Sequence, residues 1–337
     1  MSSITARVVV AIPTLNAGPA LSECLVSLEA QSFRDFAVVV IDNSGKDLAG
    51  GLTSTNFPLH IIRNDGNVGF GSAINQAIAS SSGEYVATLN DDCVASPEWL
   101  AELVRVADRE YEIGLCAAQV LLAETGMIDS VGMVIARDGT SKQRGFGQAP
   151  DRYQKDSEVL FPSGCSALYR RDMLSDVGGF DESLFLYCED TDLGLRARWA
   201  GWQAYYAAKA VVKHRYSHSA GRSSELKALL VERNRLTTAF KNFPRRELLV
   251  VPIAGPIRYF FHLIALMLGR GITADFNRQS PGLWRFPAIL WKAHWHLLRH
   301  WSVIRKKRGS IKRRLEPRQM SVLLKRHRIS LYAVASL

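Results

Sequence analysis

Cysteine is scarce and poorly placed for cross-linking. The five residues, Cys24, Cys93, Cys116, Cys165 and Cys188, are odd in number and contain no C-x-x-C pair. That argues against a disulfide framework or a thiolate zinc site and suits a reducing compartment. Glycine-rich phosphate signatures are missing as well. No G-x-G-x-x-G follows the first apolar run, which counts against a dinucleotide dehydrogenase, and no G-x-x-x-x-G-K-[ST] supports a P-loop NTPase. The opening MSSITARVVVAIP lacks a long apolar run before a small-residue cleavage site, so a cytosolic address is expected. Acid is nearly absent from residues 244–337, which hold 19 Lys+Arg against 3 Asp+Glu. Residues 1–243 hold 23 against 29. The expectation is a soluble body over 1–243 and a helical, basic region over 244–337 that meets an anionic partner.

An apolar content of 47% and a charged content of 22% are those of a globular protein. The β-branched runs Arg7–Ile12 and Ala37–Ile41, a short run at His60–Ile62, and Tyr85–Leu89 read as buried strands. Between them lie Ala20–Leu28 and Ser72–Ser80 with helical spacing, and Pro97 is placed to open a further helix. This alternation predicts βαβ units and a mostly parallel sheet with helices on both faces. Ligands of such sheets bind beyond the C-terminal strand ends. Those ends are polar here: Thr14 and Asn16, Asp42 and Asn43, Asn64 and Asp65, Asn90 to Asp92. Farther on, Phe161–Tyr169 and Ala204–Val212 have strand character, and Thr191–Ala200 and Glu225–Phe240 have helical character. Asp138–Gln148 is Gly-rich and polar and reads as a mobile loop suited to closing over a substrate.

Two acidic constellations carry chemistry. Asp91 and Asp92 repel each other unless a cation lies between them, and a hard divalent ion would fit that place. The same pair would also serve as solvated acids capping the next helix. Glu189, Asp190 and Asp192 open a helix about a hundred residues later, where they suit either the helix dipole or a general base. His214 and His218 follow a strand. A neutral imidazole at His214 could complete a metal site with Asp92, although a histidine there would also suit a structural role. Asp42 could accept hydrogen bonds from a base or ribose, and Asn67-x-Gly69-x-Gly71 before a helix resembles a phosphate-approach loop.

In order along the chain, Ile12–Asn16, Val40–Ser44, Asn64–Gly71, Leu89–Asp92, Val177–Glu182, Glu189–Arg196 and Glu232–Arg235 form an ordered set of motifs. Over residues 7–243 the chain resembles family 2 glycosyltransferases with the GT-A fold, of the type of bacterial rhamnosyltransferases that build cell-wall and other surface polysaccharides. The resemblance implies that Pro13, Thr14, Asn16, Asp42 and Asn67 line the nucleotide pocket, with Gly69 and Asn90 beside them. It gives Asp92 and His214 to a metal (Mg²⁺ or Mn²⁺), Asp91 to the ribose or sugar, and Asp190 to the general base, with Glu189 the close alternative. His218 receives no role. Rhamnosyltransferase-like members often carry Asn-Pro-Asp where this chain has Asn90-Asp91-Asp92.

The implied reaction is a metal-dependent, inverting transfer from a TDP- or UDP-sugar to a glycan or lipid-linked glycan. A nucleotidyltransferase would need a basic, Gly-rich loop after the first strand, and Pro13–Gly18 has no basic residue. A non-catalytic sugar-nucleotide-binding module would need no base at Glu189-Asp190. Leu248–Leu268 is nearly long enough to span a bilayer, yet it holds Pro252, Pro256, Arg258 and His262. It therefore reads as an interfacial or core segment. Trp284, Trp291, Trp295 and Trp301, interleaved with Arg285, Lys292, Arg299 and the run Arg305–Arg308, suit an anionic membrane surface. Peripheral attachment to the inner face of the cell membrane is expected, and no nucleic-acid partner.

Overall fold

The computed structural model describes residues 4–215, 225–269 and 285–336. His218 and Trp284 lie outside them. The N-terminal alternation is β1 (Val8–Thr14), α1 (Pro19–Glu29), β2 (Phe36–Asp42), β3 (Leu59–Arg63), α2 (Phe70–Ala79) and β4 (Tyr85–Leu89). These four strands are parallel, in the order β4-β1-β2-β3. Every residue of β2 and β4 is buried, as near-continuous apolar runs require between two helical layers. Alternation within β1 divides the core: Val8, Val10 and Ile12 pack on one face, Val9 and Ala11 on the other.

The second half extends the same sheet. It contributes β5 (Cys93–Ala95), α3 (Trp99–Ala107), β6 (Ile113–Leu122), β7 (Ile128–Ser130), β8 (Met133–Ile135) and β9 (Ser141–Gln143). Next come β10 (Ser157–Glu158), β11 (Ser166–Arg170), α4 (Arg171–Val177), α5 (Glu189–Trp199) and β12 (Gln203–His214). The path is β10-β12-β6-β11-β4, with β11 antiparallel to both neighbours and β12 parallel to β6. The strand expected over Phe161–Tyr169 begins only at Ser166. Pro97 lies in a turn ahead of α3 rather than in its first helical position.

Asp138–Gln148 is not an open loop. Part of it forms the β8–β9 hairpin, and Asp138 is fully buried against Arg258, 2.5 Å from its Nε. Leaving that carboxylate unpaired inside would cost several kcal/mol, so the ion pair fixes the hairpin to the C-terminal region.

The remaining helices are α6 (Glu225–Asn242), α7 (Arg245–Leu248), α8 (Val251–Met267), α9 (Phe286–Arg299), α10 (Trp301–Ser310), α11 (Pro317–Arg326) and α12 (Leu331–Ser336). A third core cluster joins them to the body through Leu195, Trp199, Phe243, Met320, Leu323 and Leu324. Trp199 anchors this seam. Its Nε1–H donates to the Asn242 carbonyl at 2.6 Å, and its own carbonyl accepts from the Arg314 and Leu315 amides. Among the described residues, no helix is long and apolar enough to cross a membrane.

Candidate active site

The turn after β4 and the end of β12 meet because β5 pairs antiparallel with β12, setting His214 opposite Cys93. Asp92 Oδ1 then lies 3.4 Å from His214 Nε2. That oxygen is buried and accepts no well-formed hydrogen bond, an arrangement that is costly unless a cation lies nearby. The other ring nitrogen, Nδ1, is 2.7 Å from Oδ2 of the buried Asp129. A carboxylate there fixes the imidazole with Nε2 turned to Asp92, the usual support of a metal-bound histidine. Burial opposes protonation of His214, but Cys165, Asp129 and Asp92 outweigh it and hold its pKa well above the ordinary value. A buried carboxylate oxygen facing an imidazole nitrogen is a donor pair that a divalent cation could use.

Asp91 points the other way. Its Oδ2 accepts from the Thr14 hydroxyl at 2.6 Å, and burial, partly offset by that bond, raises its pKa. The two acids therefore occupy different environments despite adjacent positions.

Glu189 and Asp190 sit in the first turn of α5. The loop before them takes left-handed backbone at Phe185, Tyr187 and Cys188 (φ 65°, 69° and 66°), costing about 1–2 kcal/mol per residue. Asn234 of α6 offsets this strain: its amide nitrogen contacts the carbonyls of Leu184, Leu186 and Tyr187 at 2.7–2.8 Å. The Glu232–Arg235 motif thus holds the acidic turn in place. Asp190 Oδ2 accepts from the Gly164 amide at 3.2 Å, and Oδ1 from the Thr191 amide at 2.6 Å. Burial pushes the Glu189 carboxyl up to about 8, helped by the charge of Asp190, and its Oε2 has no hydrogen-bond partner. Asp192, the third acid, is fully buried between Arg196 and Lys241 and serves the fold.

Both acidic turns open into one cavity of about 480 Å³. Of the sequence-chosen residues, Pro13, Thr14, Asn67, Asn90, Asp91, Asp92, Glu189, Asp190 and His214 line it. Three others do not. Asp42 is buried and spends both oxygens at 2.8 Å on the Ser44 and Ala49 amides, so its neighbour Asn43 faces the cavity instead. Asn16 is exposed at the rim, where Leu15 lines the wall. Gly69 has φ +87°, and a side chain there would strike the Phe185 carbonyl. Its freedom therefore serves a close approach between the Asn67 loop and the loop before Glu189, rather than contact with a phosphate.

Several lining or supporting residues carried no sequence signal as site residues. Asp129 comes from strand pairing and Cys165 from the turn ahead of β11, while Lys142, Lys227, Arg258 and His262 line the opposite wall. Only Arg258 and His262 left a trace, as polar residues inside an apolar run.

Comparison with known proteins agrees with this architecture. Residues 9–178 match the family model for glycosyl transferase family 2. An N-acetylglucosaminyl-diphospho-decaprenol L-rhamnosyltransferase of Mycobacterium tuberculosis is 30% identical over 233 residues, covering 62% of this chain and 76% of the relative. The O-antigen chain rhamnosyltransferase RfbN of Salmonella typhimurium is 24% identical, covering 63% and 68%. Among solved structures, GalNAc-T7 with UDP, GalNAc and Mn²⁺ has a TM-score of 0.61 at 15% identity, over 74% of this chain and half of that one. The mannosyltransferase PcManGT of Pyrobaculum calidifontis, with GDP-Man and Mn²⁺, has a TM-score of 0.51 at 17% identity, over 98% and 86%. These structural likenesses show the GT-A fold. The chain belongs to glycosyl transferase family 2 and is a rhamnosyltransferase-like enzyme of the hexosyltransferase class.

Proposed function

We propose that this enzyme moves a sugar, rhamnose first among the candidates, from a TDP- or UDP-sugar to a lipid-linked glycan, with inversion and with a divalent metal. The observation that carries the metal reading is the buried, hydrogen-bond-free Asp92 Oδ1 beside an imidazole held by Asp129. Asp92 and His214 would hold Mg²⁺ or Mn²⁺, which when bound offsets the charge developing on the departing diphosphate. Asp190 removes the proton from the acceptor hydroxyl. The freed oxygen bonds to the anomeric carbon as the bond from that carbon to the diphosphate oxygen breaks. Burial raises the pKa of both acids, but the Gly164 and Thr191 amides from which Asp190 accepts stabilise its ionised form, which favours it over Glu189 as the base. Pro13, Thr14, Asn43 and Asn67 surround the nucleotide, and Asp91 lies toward the ribose or sugar. The Mycobacterium relative bears a lipid diphosphate and L-rhamnose in its name, which supports both the acceptor and the donor.

The C-terminal region supports attachment to a membrane. In α8 the buried face is Val251, Ala254, Gly255, Arg258, His262 and Ala265. The exposed face carries Leu249 just before the helix, then Ile253, Ile257, Phe260, Leu263 and Met267, with Leu249 76% and Met267 71% accessible. A helix with charge inside and large apolar groups outside reverses the pattern of a water-facing helix. Trp291, Trp295 and Leu298 of α9 are further exposed apolar side chains. Among 19 basic residues in this region, such a surface fits an anionic bilayer on the inner face of the cell membrane rather than nucleic acid. We place the catalytic body over 1–243 and this membrane-facing region over 244–337.

Transfer assays with TDP-rhamnose, UDP-sugars and GDP-sugars, a prenyl-diphosphate GlcNAc acceptor and Mn²⁺ test the reaction. Product formation that stops with chelator is expected, whereas equal transfer in chelator would overturn the metal role. Co-sedimentation with phosphatidylglycerol vesicles, beside a DNA duplex-binding assay, tests the surface. Binding to duplex alone would reject it.

A further inference from the structure

Cysteine spacing in the sequence argues against a thiolate metal site, yet the fold assembles one. Cys93 and Cys165 stand 72 residues apart, and their Sγ atoms are 3.5 Å from each other. Both are free thiols. Two strand pairings bring them together with a histidine. Antiparallel β4 and β11 set Leu89 opposite Ser166, and the Asn90 amide donates to the Cys165 carbonyl at 2.9 Å. That clamps Cys165 against the turn running from Asn90 to Cys93. Antiparallel β5 and β12 set His214 opposite Cys93. The two sulfurs and a ring nitrogen of His214 consequently lie within 4.8 Å of one another.

Two buried thiols in contact would by themselves be ordinary core packing. The surroundings go beyond that. The imidazole is committed through Nδ1 to Asp129 at 2.7 Å, which leaves Nε2 as the nitrogen that can bind. Bonds of about 2.3 Å from zinc to sulfur at tetrahedral angles put two sulfurs about 3.7–3.8 Å apart, close to the 3.5 Å found here. Asp92 Oδ1 is buried, has no hydrogen-bond partner among the described residues, and lies 3.4 Å from Nε2. It stands beside the cluster as a fourth donor. Cys165 and His214 both line the cavity, which gives an ion an entry path.

We infer that Cys93, Cys165 and His214, with Asp92 beside them, form a soft-metal site that takes Zn²⁺ in preference to Mg²⁺ or Mn²⁺. Thiolate ligands select zinc, whereas the two harder ions seek oxygen. Binding exchanges two S–H bonds for two S–Zn bonds and releases both thiol protons to solvent. The thiolate site stands whether or not the chain transfers sugar. Only its consequence rests on the glycosyltransferase reading above. His214 Nε2 cannot serve two ions at once, so zinc held by the sulfurs takes the histidine from Mn²⁺ and inhibits transfer.

The test uses the full chain, kept reduced with a phosphine and titrated with Co²⁺. Cobalt bound to thiolate shows a sulfur-to-metal charge-transfer band in the near ultraviolet, which reports the ligand directly. Wild type should develop this band, Zn²⁺ should abolish it, and the same concentration of Mg²⁺ should not. Cys165→Ala should bind Co²⁺ at least about 100-fold more weakly, because even the outer partners of metal ligands are worth about 10- to 100-fold. Cys116→Ala, on β6 and outside the cluster, should match wild type. Absence of the band in wild type would overturn the site, and this result needs no variant to fold. An undiminished band in Cys165→Ala would overturn it as well. In the transfer assay, Zn²⁺ should inhibit the Mn²⁺ enzyme, less so as Mn²⁺ is raised. The half-inhibiting Zn²⁺ concentration should rise about 100-fold in Cys165→Ala, measured against that variant's own uninhibited rate. Equal inhibition of the two proteins would overturn the shared histidine. Failure of wild type to transfer any sugar would sink the glycosyltransferase reading instead, and the cobalt spectrum would still decide the site.

Discussion

The two walls of the cavity differ in how they treat charge. On the acidic wall, Asp92 Oδ1 and Glu189 Oε2 are buried without hydrogen-bond partners, and the nearby His214 is pulled toward its charged form. On the basic wall, Asp138, Glu232, Arg235 and Arg258 satisfy one another. The contrast separates groups kept for chemistry from groups kept for structure. Unsatisfied carboxylates ask for a cation or a proton. The acidic wall is not optimised for the stability of the empty protein.

The sharpest way to break the comparison is at the base. Asp190→Asn should lower kcat by about 10²–10⁴-fold at saturating substrates, the usual contribution of general-base catalysis, while UDP affinity stays nearly unchanged. Transfer at the wild-type rate would move the role to Glu189. Next comes the support of His214, the proposed metal ligand. Asp129→Leu removes the partner of His214 Nδ1 without touching Asp92, and should weaken Mn²⁺ binding about 10- to 100-fold, read from activity against metal concentration. An unchanged metal dependence would make Asp129 structural only.

The smallest effect lies on the basic wall and has the opposite sign. The folded-state pKa of Lys142 is about 8, whereas an unfolded lysine titrates at about 10.4. Between those values the unfolded chain binds more protons, so stability rises with pH across that window, and below pH 8 the full penalty is present. Lys142→Met should therefore raise Tm by about 2–3 °C at pH 7 and leave it nearly unchanged at pH 10.5. Calorimetry at the two pH values checks this, and a lower Tm at pH 7 would show that the lysine has a compensating partner.

The sequence reveals best what is local. Each strand end of β1, β2 and β4 carries its polar residues within four positions of an apolar run, so the sheet, the Asp91–Asp92 turn and the Glu189–Asp190 turn are legible from spacing and motif. Asp129 is not, because it reaches His214 only through the pairing of β7 with β6 and of β6 with β12. Asp42 shows the reverse failure. Its position marks a ligand contact, but the fate of its oxygens depends on how the 44–49 loop folds back. The hairpin that carries Lys142 resembles a loose loop in composition because its anchor, Asp138, is paired 120 residues away.

The reversed faces of α8 have a geometric consequence. A helix with its side chains is about 10–12 Å across. With its apolar side at the acyl boundary, Arg258 and His262 would stand one helix width above the hydrocarbon, at the level of the phosphate groups. The helix would then act as a ruler. A diphosphate joined directly to a prenyl chain would reach that level while its tail stayed in the bilayer, and an acceptor with a longer spacer between lipid and phosphate would overshoot.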